Sequence, residues 1–136
     1  MTEVAEQFMI DILEPQLAPV PVWHEVADPQ IQRPIVIVGA HLDEIYIPDG
    51  RYSVAKVALD VTLETQVGQT TDSAHESLVS QVSGALPNYG QWTGTQAYYE
   101  KVYFGPMQGQ AKKTNELVRA YQFNLYLVCR LIIPPL

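Results

Sequence analysis

Between Tyr52 and Val67, Ala55, Val57, Leu59, Val61 and Leu63 recur at every second position, and Lys56, Asp60, Thr62 and Glu64 fall mainly between them. Successive side chains of a strand point to opposite faces, so period two over this length describes a strand with one buried and one solvated face. A helix would scatter these apolar residues around its axis. The same rhythm returns from Leu117 through Arg119, Tyr121, Phe123, Leu125, Leu127, Cys129 and Leu131, alternating with Gln122, Asn124 and Arg130. Strands half-buried in this way belong to antiparallel sheets. The sequence therefore demands a sheet with long strands and something apolar to cover one side.

Two helices supply the cover. Val4, Ala5, Phe8, Met9, Ile12 and Leu13 make one apolar stripe over Thr2 to Glu14, with Thr2 as a cap and Pro15 as a stop. A second helix is expected over Ser73 to Leu86, packing through Ala74, Leu78, Val82, Ala85 and Leu86. Ser73 and Glu76 have capping-box spacing, and Pro87-Asn88 ends the segment. Gly68 to Asp72 turns the chain from the long strand into this helix.

Prolines at 15, 19, 21, 29 and 34 bar a long helix between the first helix and Ile35. Val20 to Val26 reads as an edge strand, and Ala27 to Arg33 as a loop. Ile35-Val36-Ile37-Val38 is a β-branched run typical of a strand buried on both faces. Asp43 to Arg51 reads as a connection with the turn Pro48-Asp49-Gly50, and Asn88 to Gln96 as a loop. Ala97 to Gly105 is a strand rich in tyrosine. Pro106 to Glu116, almost without apolar anchors, reads as a mobile loop. No internal repeat or linker divides residues 1–136. The expected fold is one α+β domain, a mainly antiparallel sheet with two helices packed on it.

Composition narrows the function. The net charge is −7, with 8 Lys and Arg against 15 Asp and Glu, and Lys112-Lys113 is the one basic doublet. Nucleic-acid-binding domains draw most of their affinity from basic surfaces, so this class is disfavoured. An acidic surface suits a wall that DNA slides past, and equally serves solubility. The single cysteine, Cys129, excludes an internal disulfide and reads as an inert buried thiol. The acidic start Met1-Thr2-Glu3-Val4 lacks the basic region of a signal peptide, and no apolar run approaches the roughly 20 residues that cross a bilayer.

Catalytic patterns are absent from the sequence. His24, His41 and His75 have no second His or Cys at metal-ligand spacing. Asp43, Glu44 and Asp49 read as solvated acids around a turn. Ser53, Ser73, Ser77, Ser80 and Ser83 lie in no nucleophile elbow, and Gly105-Pro106-Met107-Gln108-Gly109 is a poor phosphate cradle. Tyr98, Tyr99 and Tyr103 fit core or subunit-interface packing better than base stacking, since no basic residues surround them. Catalytic, cofactor and metal residues are each expected to be none.

The order of elements resembles that of the tail terminator (tail completion) proteins of long-tailed bacteriophages. The likeness is carried by Arg33-Pro34-Ile35-Val36-Ile37-Val38-Gly39, by Val57-Ala58-Leu59-Asp60-Val61-Thr62-Leu63 with Ser73 to Leu86 after it, and by Tyr121-Gln122-Phe123-Asn124-Leu125-Tyr126-Leu127. It is a pattern of elements across most of the chain, not a residue motif. It implies a structural virion protein, made in the host cytoplasm, forming a hexameric ring at the head–tail neck. That ring would contact tail tube protein and head-completion or connector proteins, with DNA passing through its lumen without sequence-specific binding. The Pro-rich segment 15–34 and the loops 87–97 and 106–116 depart from compact members, which keeps a head-completion or connector-adaptor role open. Two rivals stand beside this: a small cellular protein-binding module using the tyrosine strand and segment 87–97, and a small enzyme built on His24, His41 and the acidic turn.

Overall fold

A computed structural model of the chain describes residues 2–24, 33–46, 53–87, 90–92, 99–104, 107–113 and 117–131. The elements, in chain order, are α1 (Thr2–Leu17), β1 (Val22–His24), β2 (Ile35–Tyr46), β3 (Ser53–Gln66), α2 (Asp72–Ala85), β4 (Gly90–Trp92), β5 (Tyr99–Phe104), β6 (Gln108–Lys113) and β7 (Val118–Leu131). The expected α+β architecture is present, with both helices on a sheet in which only the β1–β2 pair is parallel.

Among the described residues the sheet has seven strands in the order β1-β2-β3-β7-β5-β4, with β6 also on β7. Residues 127–131 of β7 pair with β5 and residues 119–124 pair with β6, so β5 and β6 follow one another along the same edge of β7. The lower half of the sheet is thus a band of β1, β2, β3, β7 and β6, whose residues line up in continuous rows. One row runs Val22, Val36, Leu63, Tyr121, Ala111; the next runs Trp23, Ile37, Thr62, Gln122, Gln110.

Alternate rows face alternate sides. Val36, Val38 and Ala40 of β2, Val57, Leu59, Val61 and Leu63 of β3, and Phe123, Leu125 and Leu127 of β7 are buried in one cluster. Ala5, Phe8, Met9, Leu13 and Leu17 of α1 close it from above, as do Val82 and Ala85 of α2 and Leu86 beyond it. Each fully buried large aliphatic or aromatic side chain stabilises the fold by about 1.5–3 kcal/mol. α1 lies over β1, β2 and β3 and packs beside α2. The expected apolar face is the observed one for Val57, Leu59, Val61 and Leu63 and for Tyr121, Phe123, Leu125 and Leu127, whereas Leu117, expected to open the second strand, precedes β7 and is exposed.

Several local expectations fail, each for a physical reason. α1 does not stop at Pro15 but continues to Leu17. Proline in the last turn costs one ladder bond, while the Ala18 amide still donates to the Glu14 carbonyl and Leu17 buries itself. α2 is capped by Thr71, not Ser73: the Thr71 hydroxyl accepts from the Ala74 amide at 3.1 Å. Ala74, expected on the packing stripe, is exposed. The positive φ of 93° at Gly68 makes the turn before α2, a conformation that favours glycine.

β2 runs on through Asp43 and Glu44 to Tyr46, so these acids are not in a connecting turn. The register slips between Leu42 and Glu44, leaving Asp43 as a bulge without a partner on β3. Pro48-Asp49-Gly50 lies outside the described residues. Ile35, Val36 and Val38 are buried, whereas Ile37 is only half-buried, so the β-branched run is covered less evenly than expected. The stretch 88–96, read as a loop, contains β4.

The largest correction concerns 106–116, read as a mobile loop. Residues 108–113 form β6, paired with β7 from Gln108↔Asn124 to Lys113↔Arg119. The main-chain ladder replaces the missing apolar anchors. Gly109 is required there: a Cβ would stand 2.8 Å from the Tyr121 ring, which lies across it. Tyr121 in turn packs on Phe123, with centroids 5.0 Å apart.

Candidate functional site

The three histidines are dispersed among separate structural bonds. His24 on β1 meets Glu6 of α1 at 3.0 Å, and the other Glu6 oxygen accepts from the Ala40 amide at 3.2 Å. Glu6 thereby stitches α1 to both β1 and β2. His41 on β2 meets Asp60 on β3 at 3.4 Å. His24 pairs with Val38 and so faces the helices, while His41 falls in the opposite parity of β2 and faces away. The sheet itself separates the two imidazoles. Asp49, the third acid of that constellation, lies outside the described residues.

His75 belongs to a polar knot at the start of α2. Its Nδ1 lies 2.7 Å from the Thr65 hydroxyl, and Thr65 is fully buried on β3. Arg119 of β7 donates to Asp72 and to the Thr70 carbonyl. Burial pushes the His75 imidazole below the usual histidine range, and the Arg119 guanidinium adds to that, against opposing pulls from Asp72 and Glu76. A neutral ring leaves Nδ1 able to accept the Thr65 hydroxyl proton. The knot ties the turn and α2 to the ends of β3 and β7, and a fully buried hydroxyl is not placed to attack a substrate. Ser73, Ser77, Ser80 and Ser83 ride on α2, and Ser53 opens β3. Among the described residues, no cluster of three or more His, Cys, Asp or Glu is arranged to hold a metal ion, and no helix is long and apolar enough to cross a membrane.

What the fold does present is surface of an unusual kind. The face turned away from the helices carries Thr62, Gln122 and Asn124 along its middle, all half-buried. The Gln122 amide donates to the Thr62 hydroxyl at 3.2 Å. Several of its charges are engaged with neighbours. Arg33 bonds Glu64 at 3.1 Å, His41 meets Asp60, and the Lys56 ammonium sits 4.1 Å above the Tyr126 ring. The helix layer is the opposite. α1 contains Glu3, Glu6, Asp11 and Glu14, α2 contains Asp72 and Glu76, and neither contains Lys or Arg.

Both edges of the five-stranded band are open among the described residues, since β1 pairs only with β2 and β6 only with β7. Gln108, Gly109, Gln110, Ala111 and Lys112 of β6 are all exposed. At the other edge a groove of about 450 Å³ runs between α1 and β1, lined by Gln7, Ile10, Glu14, Val20 and Trp23 among others. Trp23 beside this groove is 49% exposed.

The tyrosine strand lies inside the sheet, with Tyr99 opposite Leu131 and Tyr103 opposite Val128, while Tyr98 falls outside the described residues. Cys129 pairs in the ladder with Ala55 and Val102. Lys112 and Lys113, the basic doublet of the sequence, end the open edge strand. The alternation of small Gly109 and Ala111 with Gln108, Gln110 and Lys112 is the period-two signal that marks β6 in the sequence. The chain matches no protein-family model, and no curated protein matches it either.

Proposed function

We propose that the chain is a structural, ring-forming subunit of the tail terminator kind, placed at the head–tail junction of a long-tailed phage. The observation that supports this reading is the five-stranded band, which among the described residues is open at both edges and covered by helices on one face only. An open strand edge is a template for another strand, and a protein with two such edges on opposite sides is equipped to join copies head to tail. The uncovered face, with its neighbour-bonded charges and uncharged amides, fits contact with other proteins of the neck. The acid-only helices add no basic stripe that would grip a DNA strand passing through. No catalytic role is part of the reading.

The test is the oligomeric state. Native mass spectrometry and negative-stain electron microscopy of the purified chain, across concentration and with tail tube protein added, are expected to show rings with a central hole, six copies being the expected number. A chain that stays monomeric at every concentration, with and without tube protein, rejects the proposal. A monomer that instead holds one peptide in the α1–β1 groove favours the protein-binding module.

A further inference from the structure

The groove between α1 and β1 has two unlike walls. Its strand wall is the unbroken run Val20 to His24. Residues of both parities touch the cavity, so it follows the free edge of β1 and not the space beneath the strand. Its helix wall is Gln7, Ile10 and Glu14, at helical spacing along one side of α1. The main chain of β1 is only half used among the described residues. The Pro21 carbonyl accepts from the Val36 amide at 2.9 Å. Alternate residues of a strand turn their main-chain groups to opposite sides, so the N–H and C=O of Val22 are directed to the groove. Pro19 and Pro21 have no N–H to offer, and β1 is three residues long, so a strand added here finds a short ladder. Side chains must then supply the selection.

A residue placed opposite Val22 or His24 shares their face and enters beside α1, whereas one opposite Trp23 lies on the face turned away from the helices. The α1 side is acidic. Glu14 is exposed there, and exposed Asp11, bonded by Gln7 at 2.8 Å, adds to the same field. Neither α1 nor the described lining of the groove contains Lys or Arg. We infer that the groove holds an extended basic segment of another protein, added to β1 as an edge strand. Arginine or lysine at alternate positions meets Glu14, and an apolar side chain between them covers Trp23. The aliphatic stem of the cationic residue lies along Ile10 and Val20 while its head reaches the carboxylate. Main-chain bonds hold such a segment and the alternating side chains select it. An acidic segment could form the same ladder, but it would set like charges together. The inference concerns the edge of one subunit and does not depend on the ring-forming reading.

Fluorescence anisotropy of short labelled peptides tests it, on the full chain at concentrations where native mass spectrometry shows monomer. The probes are a peptide of alternating arginine and leucine, one of alternating glutamate and leucine, and the arginine peptide with its amides N-methylated. The first is expected to saturate at one per chain. The glutamate peptide is expected to bind at least ~10-fold more weakly through repulsion by Glu14, and the methylated one to weaken as far because it cannot form the ladder. Glu14→Lys, at an exposed site, should lower affinity for the arginine peptide at least ~10-fold and raise it for the glutamate peptide. Glu76→Lys makes the same change of net charge on α2, outside the groove, and should stay within ~2-fold at physiological salt. Trp23→Ser should cost a smaller factor. Each variant is checked for folding by circular dichroism. Equal effects of Glu14→Lys and Glu76→Lys would mean that net charge alone holds the peptide, which rejects the groove. A methylated peptide that binds as well rejects the added strand. A folded, unaltered chain that binds no arginine peptide overturns the inference, and rings formed by that chain would leave the ring-forming reading standing. Specific binding by a chain that never assembles does the reverse.

Discussion

The two faces of β3 share one backbone and one set of ladder bonds, yet they do different work. Val57, Leu59, Val61 and Leu63 are sealed beneath the helices, and every large side chain there has its surroundings fixed by close packing. Thr62 and Asp60, one residue away along the same strand, lie on a face that no described element covers. The first face holds the molecule together. The second is polar enough to meet water yet carries few free charges, so covering it with another protein costs little desolvation. A strand of period two can thus serve stability and contact at once, each in its own half of the residues.

Substitutions on either face sharpen or break this contrast. The largest effect is expected from Leu59→Ala, which opens a cavity under α1 and costs about 2–5 kcal/mol in chemical denaturation. Thr62→Ala, in the next position but on the open face, is expected to stay within about 1 kcal/mol. Equal losses at the two sites would show that the open face is part of the core. Gly109→Ala comes next. Its Cβ collides with Tyr121, so a loss of about 1–3 kcal/mol is expected. Adding Tyr121→Leu should return part of it, and strict additivity in that double mutant would contradict the packing of the ring on the strand.

Thr71→Ala removes the α2 cap and is expected to cost about 1 kcal/mol, whereas Ser73→Ala should leave the melting temperature nearly unchanged. The reverse result would move the helix start. The smallest effect is a slope. Folding disfavours the His75 imidazolium, so as pH falls below the ordinary value of 6.5 the unfolded chain takes up the proton before the folded one. The stability His75 contributes is whole above that pH and declines beneath it. His75→Asn, which keeps a group able to bond Thr65, should flatten the acid-side decline in denaturation free energy as pH falls below about 6.5. An unchanged slope would remove His75 as its source.

Much of the architecture was legible because β3 and β7 write their burial into the sequence at period two, and α1 writes its own at helical spacing. β6 was not, since Gln108 to Lys113 contribute almost nothing to the core and are held by pairing with a partner supplied later in the chain. Thr71 and Ser73 both belong to the residue types that cap helices, with serine if anything the better, so residue type alone does not point to Thr71. The bulge at Asp43 lets β2 continue through two acids that look like a turn. The candidate assembly surface was less legible still. Nothing local in the sequence tells that β1 and β6 bound the same rows, because that depends on strand order, which long-range pairing sets.

The place of β7 between β3 and the β5–β6 edge governs how the chain folds as it is made. α1, β2 and β3 can gather early, since their contacts are comparatively close in sequence. β3 then presents an unpaired apolar edge while α2, β4, β5 and β6 are synthesised, and Gln66 waits for Val118. Non-local pairing of this kind is slow and leaves a sticky intermediate exposed to aggregation. Newly made chains at high concentration are therefore most vulnerable between the completion of β3 and the arrival of β7, and lower growth temperature or a holding chaperone should raise the soluble yield more than any single stabilising substitution.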